Sequence, residues 1–202
     1  MAGLRNEPTQ QRSRDTLDNI ISAADALFAE RGVDGATNSM IADQAGVAIG
    51  TLYRFFPNKS ALVAEYLDRY LSELGRLLPD LPESPTLDDI ESIVAGLIDR
   101  SVKARLQFRG YGRVRLWSYP DTGELASKAM RESELALVGH LLESSPYPFE
   151  PDQRKRMAVV IVDAPWPLVQ GLIDLPASER AVMQEEIVRL IVGYVREIVN
   201  SL

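Results

Sequence analysis

The segment Ala36-Thr-Asn-Ser-Met-Ile-Ala-Asp-Gln-Ala-Gly-Val-Ala-Ile-Gly-Thr-Leu-Tyr-Arg-Phe-Phe-Pro-Asn-Lys59 decides the fold. It reads as two short helices joined by a tight turn. Thr37 is a good N-cap for a helix from about Asn38 to Ala45. Gly46 then breaks the chain and supplies the left-handed backbone that a tight turn needs. A second helix runs from about Ile49 to Phe55 and is stopped by Pro57. This is the spacing of a helix-turn-helix, whose second helix enters the major groove of DNA. The side-chain phases agree: Ile41, Ala42 and Ala45 face the preceding helix and the turn, and Val47, Leu52 and Phe56 hold the second helix against the same small core. Ala48, Ile49, Gly50, Tyr53 and Arg54 are left on the outward face.

Upstream, Leu17, Ile20, Ile21, Ala24, Leu27 and Phe28 form one apolar stripe of a helix that Arg31-Gly32 closes. Residues 1–13 are polar and read as a flexible arm. Downstream, a long helix from Asn58 carries Leu62, Tyr66, Tyr70, Leu74 and Leu77 on one face. Residues 79–85 have the composition of a linker, and Thr86 with Asp89 resembles a capping box before a stripe of Ile90, Ile93, Val94, Leu97 and Ile98. Further helices are predicted at about 105–118, 121–144, 152–164 and 178–200, with Pro165 and Pro167 ending or kinking the third near Asp163. No segment alternates with the period of a strand. The expected fold is all-α, about nine helices: an N-terminal three-helix DNA-binding domain over 14–60 and a larger helical domain over 61–202.

Phe28 with Glu30-Arg31-Gly32, then Thr37, Ile41-Ala42, Ala45-Gly46-Val47, Gly50-Thr51-Leu52-Tyr53, Phe56, Lys59 and Leu62 form a string in one register. Over roughly residues 16–62 it resembles the tetracycline-repressor-like (TetR) family of transcriptional regulators. The resemblance implies a ligand-responsive regulator, most often a repressor, that binds a palindromic operator as a homodimer and is released by a small molecule. It further implies that Thr37, Thr51, Tyr53 and Lys59 contact phosphates, while Ser39, Ala48, Ile49 and Gly50 lie nearest base edges. Hydroxyls and an ammonium at helix N-termini suit phosphate oxygens. Arg54 joins them as a phosphate contact from its outward phase alone. Ile49 and Gly50 cannot donate the paired hydrogen bonds that read guanine or adenine, which leaves thymine-methyl contact and DNA shape. Arg5, Arg12 and Arg14 either reach the DNA or form a solvated tail; both readings stand.

If residues 60–202 follow the family, they hold a ligand cavity and a dimer face. Phe108, Tyr111, Trp117, Met130, His140 and Trp166 are the side chains from which to build the ligand site, since pockets are mostly apolar with few polar anchors. Ile187, Leu190, Ile191, Tyr194, Val195 and Ile198 make one stripe of the last helix and are the candidate dimer interface. An apolar segment at 157–162 would supply a second helix to a four-helix interface, although an intramolecular core explains both stripes as well.

Composition bounds the remaining choices. A net charge of −7 argues against a general nucleic-acid binder but not a site-specific one, which needs only a locally positive face. Within the first sixty residues, Arg5, Arg12, Arg14, Arg31, Arg54 and Lys59 are offset by Glu7, Asp15, Asp18, Asp25, Glu30, Asp34 and Asp43, so charge lends the DNA reading no help. The chain has no cysteine and one histidine, His140. With no metal-ligand spacing, phosphate loop or nucleophile elbow, no enzyme, metal or cofactor is expected. The start of the chain lacks a signal-peptide core, and the run Ala158–Val162 is far shorter than a membrane span, so a cytoplasmic protein with no membrane partner is expected. The alternative function is a helical interaction module that has lost DNA binding.

Overall fold

The computed structural model describes residues 11–78, 80–116 and 123–202, leaving aside the side chains of 123–127, 129 and 130. Among the described residues every regular element is helical, as the sequence predicts. In chain order these are α1 Gln11–Gly35, α2 Asn38–Gln44, α3 Ile49–Phe55, α4 Lys59–Arg76, α5 Ile90–Gln107, α6 Tyr111–Arg115, α7 Gly123–Ser144, α8 Pro151–Asp163, α9 Trp166–Gly171, a 3-10 turn Leu172–Asp174, and α10 Ala177–Asn200. They gather into two compact units. One takes in the described residues of Met1–Glu73 and Gln107–Lys128, the other Leu74–Leu106 and Ala129–Leu202.

The first unit extends past residue 60 because α4 and α6 share its aromatic core. Leu17, Ile20, Ile21, Ala24, Leu27 and Phe28 of α1 are buried as their spacing predicts. α1 is already helical at Gln11, where the sequence suggested an arm to residue 13, and it breaks at Gly32 (φ 70°, ψ 171°). The edge of Phe28 meets Tyr66 at 5.6 Å, Phe108 lies edge-on to both Tyr66 and Tyr70, and Tyr111 stacks on Tyr70 at 3.8 Å. One carboxylate organises the polar side of this cluster. Asp25 accepts from the Tyr66 hydroxyl at 2.7 Å and from the Gly110 and Arg109 amides at 2.8 and 3.2 Å. Burial first, and then the Asp25 charge, pushes the Tyr66 phenol far above its ordinary pKa, so it stays a donor.

The single helix predicted over 105–118 is two. α5 runs to Gln107, and α6 starts at Tyr111 after a bend that brings the Gly110 backbone against α1. A Cβ at Gly110 would meet Phe28 Cβ at 2.7 Å and the Asp25 carbonyl at 2.8 Å, so only glycine fits.

In the second unit, one apolar cluster joins Val94, Ile98 and Val102 of α5 to Val169, Leu172, Ile187, Ile191 and Val192. A second joins Val138 and Leu142 of α7 to Phe149, Met157, Ala158 and Val195. α8 ends at Asp163 and Pro165 precedes the short α9, where Pro167 is tolerated in the first turn. The Arg180 guanidinium then closes the 3-10 turn by donating to the Leu172 and Leu175 carbonyls at 3.0 and 2.8 Å. By length and composition the stretch Pro151–Asp174 would suffice to cross a membrane, which corrects the shorter estimate made from Ala158–Val162. It is broken at Pro165, however, and Met157, Ala158, Val169 and Leu172 are buried in this unit, as in the core of a globular domain.

Replacing Gly110 with alanine should force α6 off α1. Overpacking of this kind costs about 1–3 kcal/mol, so G110A is expected to lower the thermal midpoint by several degrees. An unchanged melt would contradict the close approach.

Candidate nucleic-acid interface

Every part of the α2–turn–α3 hairpin has a local cause. Thr37 is extended (φ −76°, ψ 153°) and its hydroxyl accepts the Met40 amide at 3.2 Å, the N-cap that starts α2. At the other end the Gly46 amide donates to Asp43 at 3.1 Å and the Val47 amide to Ala42 at 3.0 Å. Gly46 sits at φ 67°, where a side chain is strained. Ala48 returns to extended backbone and α3 begins, with the Thr51 amide bonded to the Ala48 carbonyl at 2.8 Å.

Leu52 and Phe56 are fully buried, together with Ile41 and Ala42 of α2, while Val47 and Ala45 are half-buried. Phe55, absent from the inward set expected from the sequence, is 2% exposed and packs obliquely against Phe56. Its signal was present: two consecutive aromatics before Pro57 have to be covered by something. With these three side chains inward, the opposite face is open. Ile49 is 40% and Tyr53 45% exposed, and Ala48, Gly50 and Arg54 are also exposed. The Arg54 guanidinium rests 5.4 Å from the Phe55 ring centre, which gives its stem a fixed side to lie on. Thr37 and Ser39 are exposed at the start of α2, and Thr51 is half-buried.

Lys59 is more constrained than its sequence position suggests. Its ammonium donates to the Val33 carbonyl at 2.8 Å, just beyond the Gly32 break, with Asp34 nearby. Burial lowers its pKa, and the Asp34 charge opposes that shift. Asn58 caps α4 by accepting the Ala61 amide at 2.8 Å. Several carboxylates that offset the local positive charge are committed within the unit: Asp18 to Arg69 at 2.6 Å, Glu30 to Arg31 at 3.2 Å, and Asp25 as described.

The described candidate ligand residues are divided between the two units. Phe108 and Tyr111 belong to the aromatic core of the first unit, with Tyr111 1% exposed. His140 and Trp166 belong to the second unit. His140 is exposed at a surface groove between α7 and α8, and the Trp166 ring lies under the Arg105 guanidinium at 4.0 Å. Trp117 and the Met130 side chain lie outside the described residues, as does Arg5.

The candidate dimer stripe is divided. Ile187, Ile191 and Val195 are buried in the apolar clusters of their own chain. Tyr194 and Ile198 are half-buried, and Leu190 is 53% exposed. The large apolar side chains left open on α10 are Val182, Met183 and Leu190, the last of them a member of the expected stripe. Val159 and Val160 are likewise exposed on α8.

Comparison with known proteins covers the same segment. Residues 20–66 match the family described as bacterial regulatory proteins, tetR family. The uncharacterized HTH-type transcriptional regulator YhgD of Bacillus subtilis is 28% identical over 120 residues, 59% of this chain and 60% of that protein. The HTH-type transcriptional repressor KstR2 of Mycolicibacterium smegmatis is 39% identical over 67 residues, 33% of this chain and 32% of that protein. The matches thus span less than two thirds of these relatives. Among solved structures, that of SmeT in complex with triclosan superposes with a TM-score of 0.58 at 22% identity, covering 89% of this chain and 88% of SmeT. At that identity the likeness concerns the fold.

Thr37→Ala should remove the α2 cap and cost about 1 kcal/mol of stability. Thr37→Asn, which keeps a capping oxygen, should melt close to the parent chain. Equal melts for all three proteins would show the cap to be idle.

Proposed function

We propose that this chain, whose residues 20–66 match the tetR family of bacterial regulatory proteins, is a transcriptional repressor. In this reading it binds a palindromic operator as a homodimer and releases it when a small molecule occupies the second unit. One observation carries the DNA-binding half: Leu52, Phe55 and Phe56 are buried on one side of α3, while Ala48, Ile49, Gly50, Tyr53 and Arg54 stand open on the other.

Contacts divide by chemistry. Thr37, Thr51, Tyr53, Arg54 and the Lys59 ammonium suit phosphate oxygens, which position the domain without reading sequence. Ser39, Ala48, Ile49 and Gly50 would lie at the bases. The half-exposed Ile49 side chain suits a thymine methyl, and the bare backbone at Gly50 permits close approach.

Dimerisation is supported by the open apolar positions Val159 and Val160 on α8 and Val182, Met183 and Leu190 on α10. Lys155 and Arg156 are exposed on α8, and Glu186 and Glu197 on α10. A two-fold axis lets such opposite charges meet across the interface. Two recognition helices must then match successive major grooves, about 34–36 Å apart. A ligand that favours a different spacing lowers operator affinity by its differential affinity for the two states. A small-molecule effector is supported by the bound triclosan of SmeT, and repression by the likeness to KstR2, a transcriptional repressor. Binding chromosomal DNA would place the protein in the cytoplasm.

The test is fluorescence anisotropy on fragments selected from the source genome. The expected result is two chains per palindrome and an affinity that falls steeply with salt. Tyr53→Ala and Arg54→Ala should weaken binding to all sequences alike, with Arg54→Ala flattening the salt slope by about one unit. Leu190→Glu should yield monomers that bind tenfold or more weaker. Salt-independent binding, or undiminished affinity in the Tyr53 and Arg54 variants, would overturn the DNA reading.

A further inference from the structure

A half-open cavity of ≈ 80 Å³ lies within the second unit, lined by members of both of its apolar clusters. Val94 and Leu97 of α5, Val138 and Leu142 of α7, and Phe149 and Ile161 form its walls. The polar groups at its edge are already bonded. Thr86 donates its hydroxyl to Asp89 at 2.8 Å, Ser145 donates to the Leu142 carbonyl at 2.8 Å, and the Tyr147 hydroxyl accepts the Leu87 amide at 2.9 Å. Among the described residues no charged side chain lines it.

We propose that this cavity binds the unbranched alkyl end of an uncharged small molecule, whose polar end stays in solvent at the rim beside Thr86. The chemistry of the wall sets the class. A carboxylate or ammonium held at the mouth of this apolar space would lose part of its hydration, at a cost that no group here offsets. Size sets the shape. An apolar cavity of about 150 Å³ holds a benzene ring, so a space of this volume takes something narrower. A methylene chain regains the dispersion contacts that the empty walls forgo. This names the class of effector and rests, for its consequence at the operator, on the function proposed above. Occupancy of the cavity is tested without DNA.

The probes are n-alkanols from propanol to hexanol, with butanoate as the charged counterpart, titrated into the full chain and followed by methyl NMR. The expected result is saturable shifts confined to the methyls of Val94, Leu97, Val138 and Leu142. Affinity should rise about fourfold per added methylene until the space is filled, and butanoate should bind at least tenfold more weakly than butanol. Leu97 is half-buried, so L97F should fold while filling the cavity; V138I is the milder second variant. Both should abolish the shifts without lowering the melt. Shifts that never saturate, the absence of chain-length dependence, or full binding in both variants would overturn the site. Operator titration with and without hexanol separates the two readings. Operator affinity unchanged with the cavity filled would overturn the effector class and leave DNA binding intact. Saturable alkanol binding by a chain that binds no operator would overturn the regulator reading and leave the cavity site standing.

Discussion

Leu52 and Phe56 have no exposed surface, and Phe55 almost none, and the aim of α3 depends on that burial. A seven-residue helix has no stability of its own in water, since nucleation costs more than two turns return. α3 exists because its inward side chains are removed from water, at roughly 1.5–3 kcal/mol for each large one. The same burial sets the helix rotation and decides that Ile49, Tyr53 and Arg54 face out. Capping by Thr37 and the left-handed turn at Gly46 are smaller effects. They fix where α2 starts and where the chain turns, and so bring α3 to the core in the right phase.

The rest of the first unit is a frame for that hairpin. Asp25 collects a phenol and two amides, and the stacked Tyr70 and Tyr111 lock α6 to α4. The chain enters this frame from the second unit at Gln107 and leaves it after Lys128, so residues far apart in sequence share one core. Lys59, at the start of α4, ties the end of α1 through the Val33 carbonyl. A side chain that would otherwise serve only as a charge thereby also holds two helices together.

What the sequence disclosed, and what it did not, follows from the kind of signal each feature leaves. Caps, glycine turns and apolar spacing are local, and they located α1 through α4 and the outward face of α3 to within a few residues. Periodicity in α10 marked Ile187, Ile191 and Val195 as one face, but it carries no information on what covers that face; their own chain does. Aromatic residues such as Phe108 and Tyr111 look alike in a list whether they line a cavity or fill a core. The bend at Gly110 answers to the nearness of Phe28, eighty-two positions earlier in the chain, which no window of sequence contains.

Because the chain contains no cysteine, a single one can be placed at will. The most direct measurement is the rate of maleimide labelling of Ile49→Cys, free and with a selected operator fragment, against Ser178→Cys as an exposed reference. The expected result is rapid labelling of both free proteins and strong protection by DNA at position 49 alone. Slow labelling of free Ile49→Cys, or equal rates with and without DNA, would contradict an outward α3 that reads the groove.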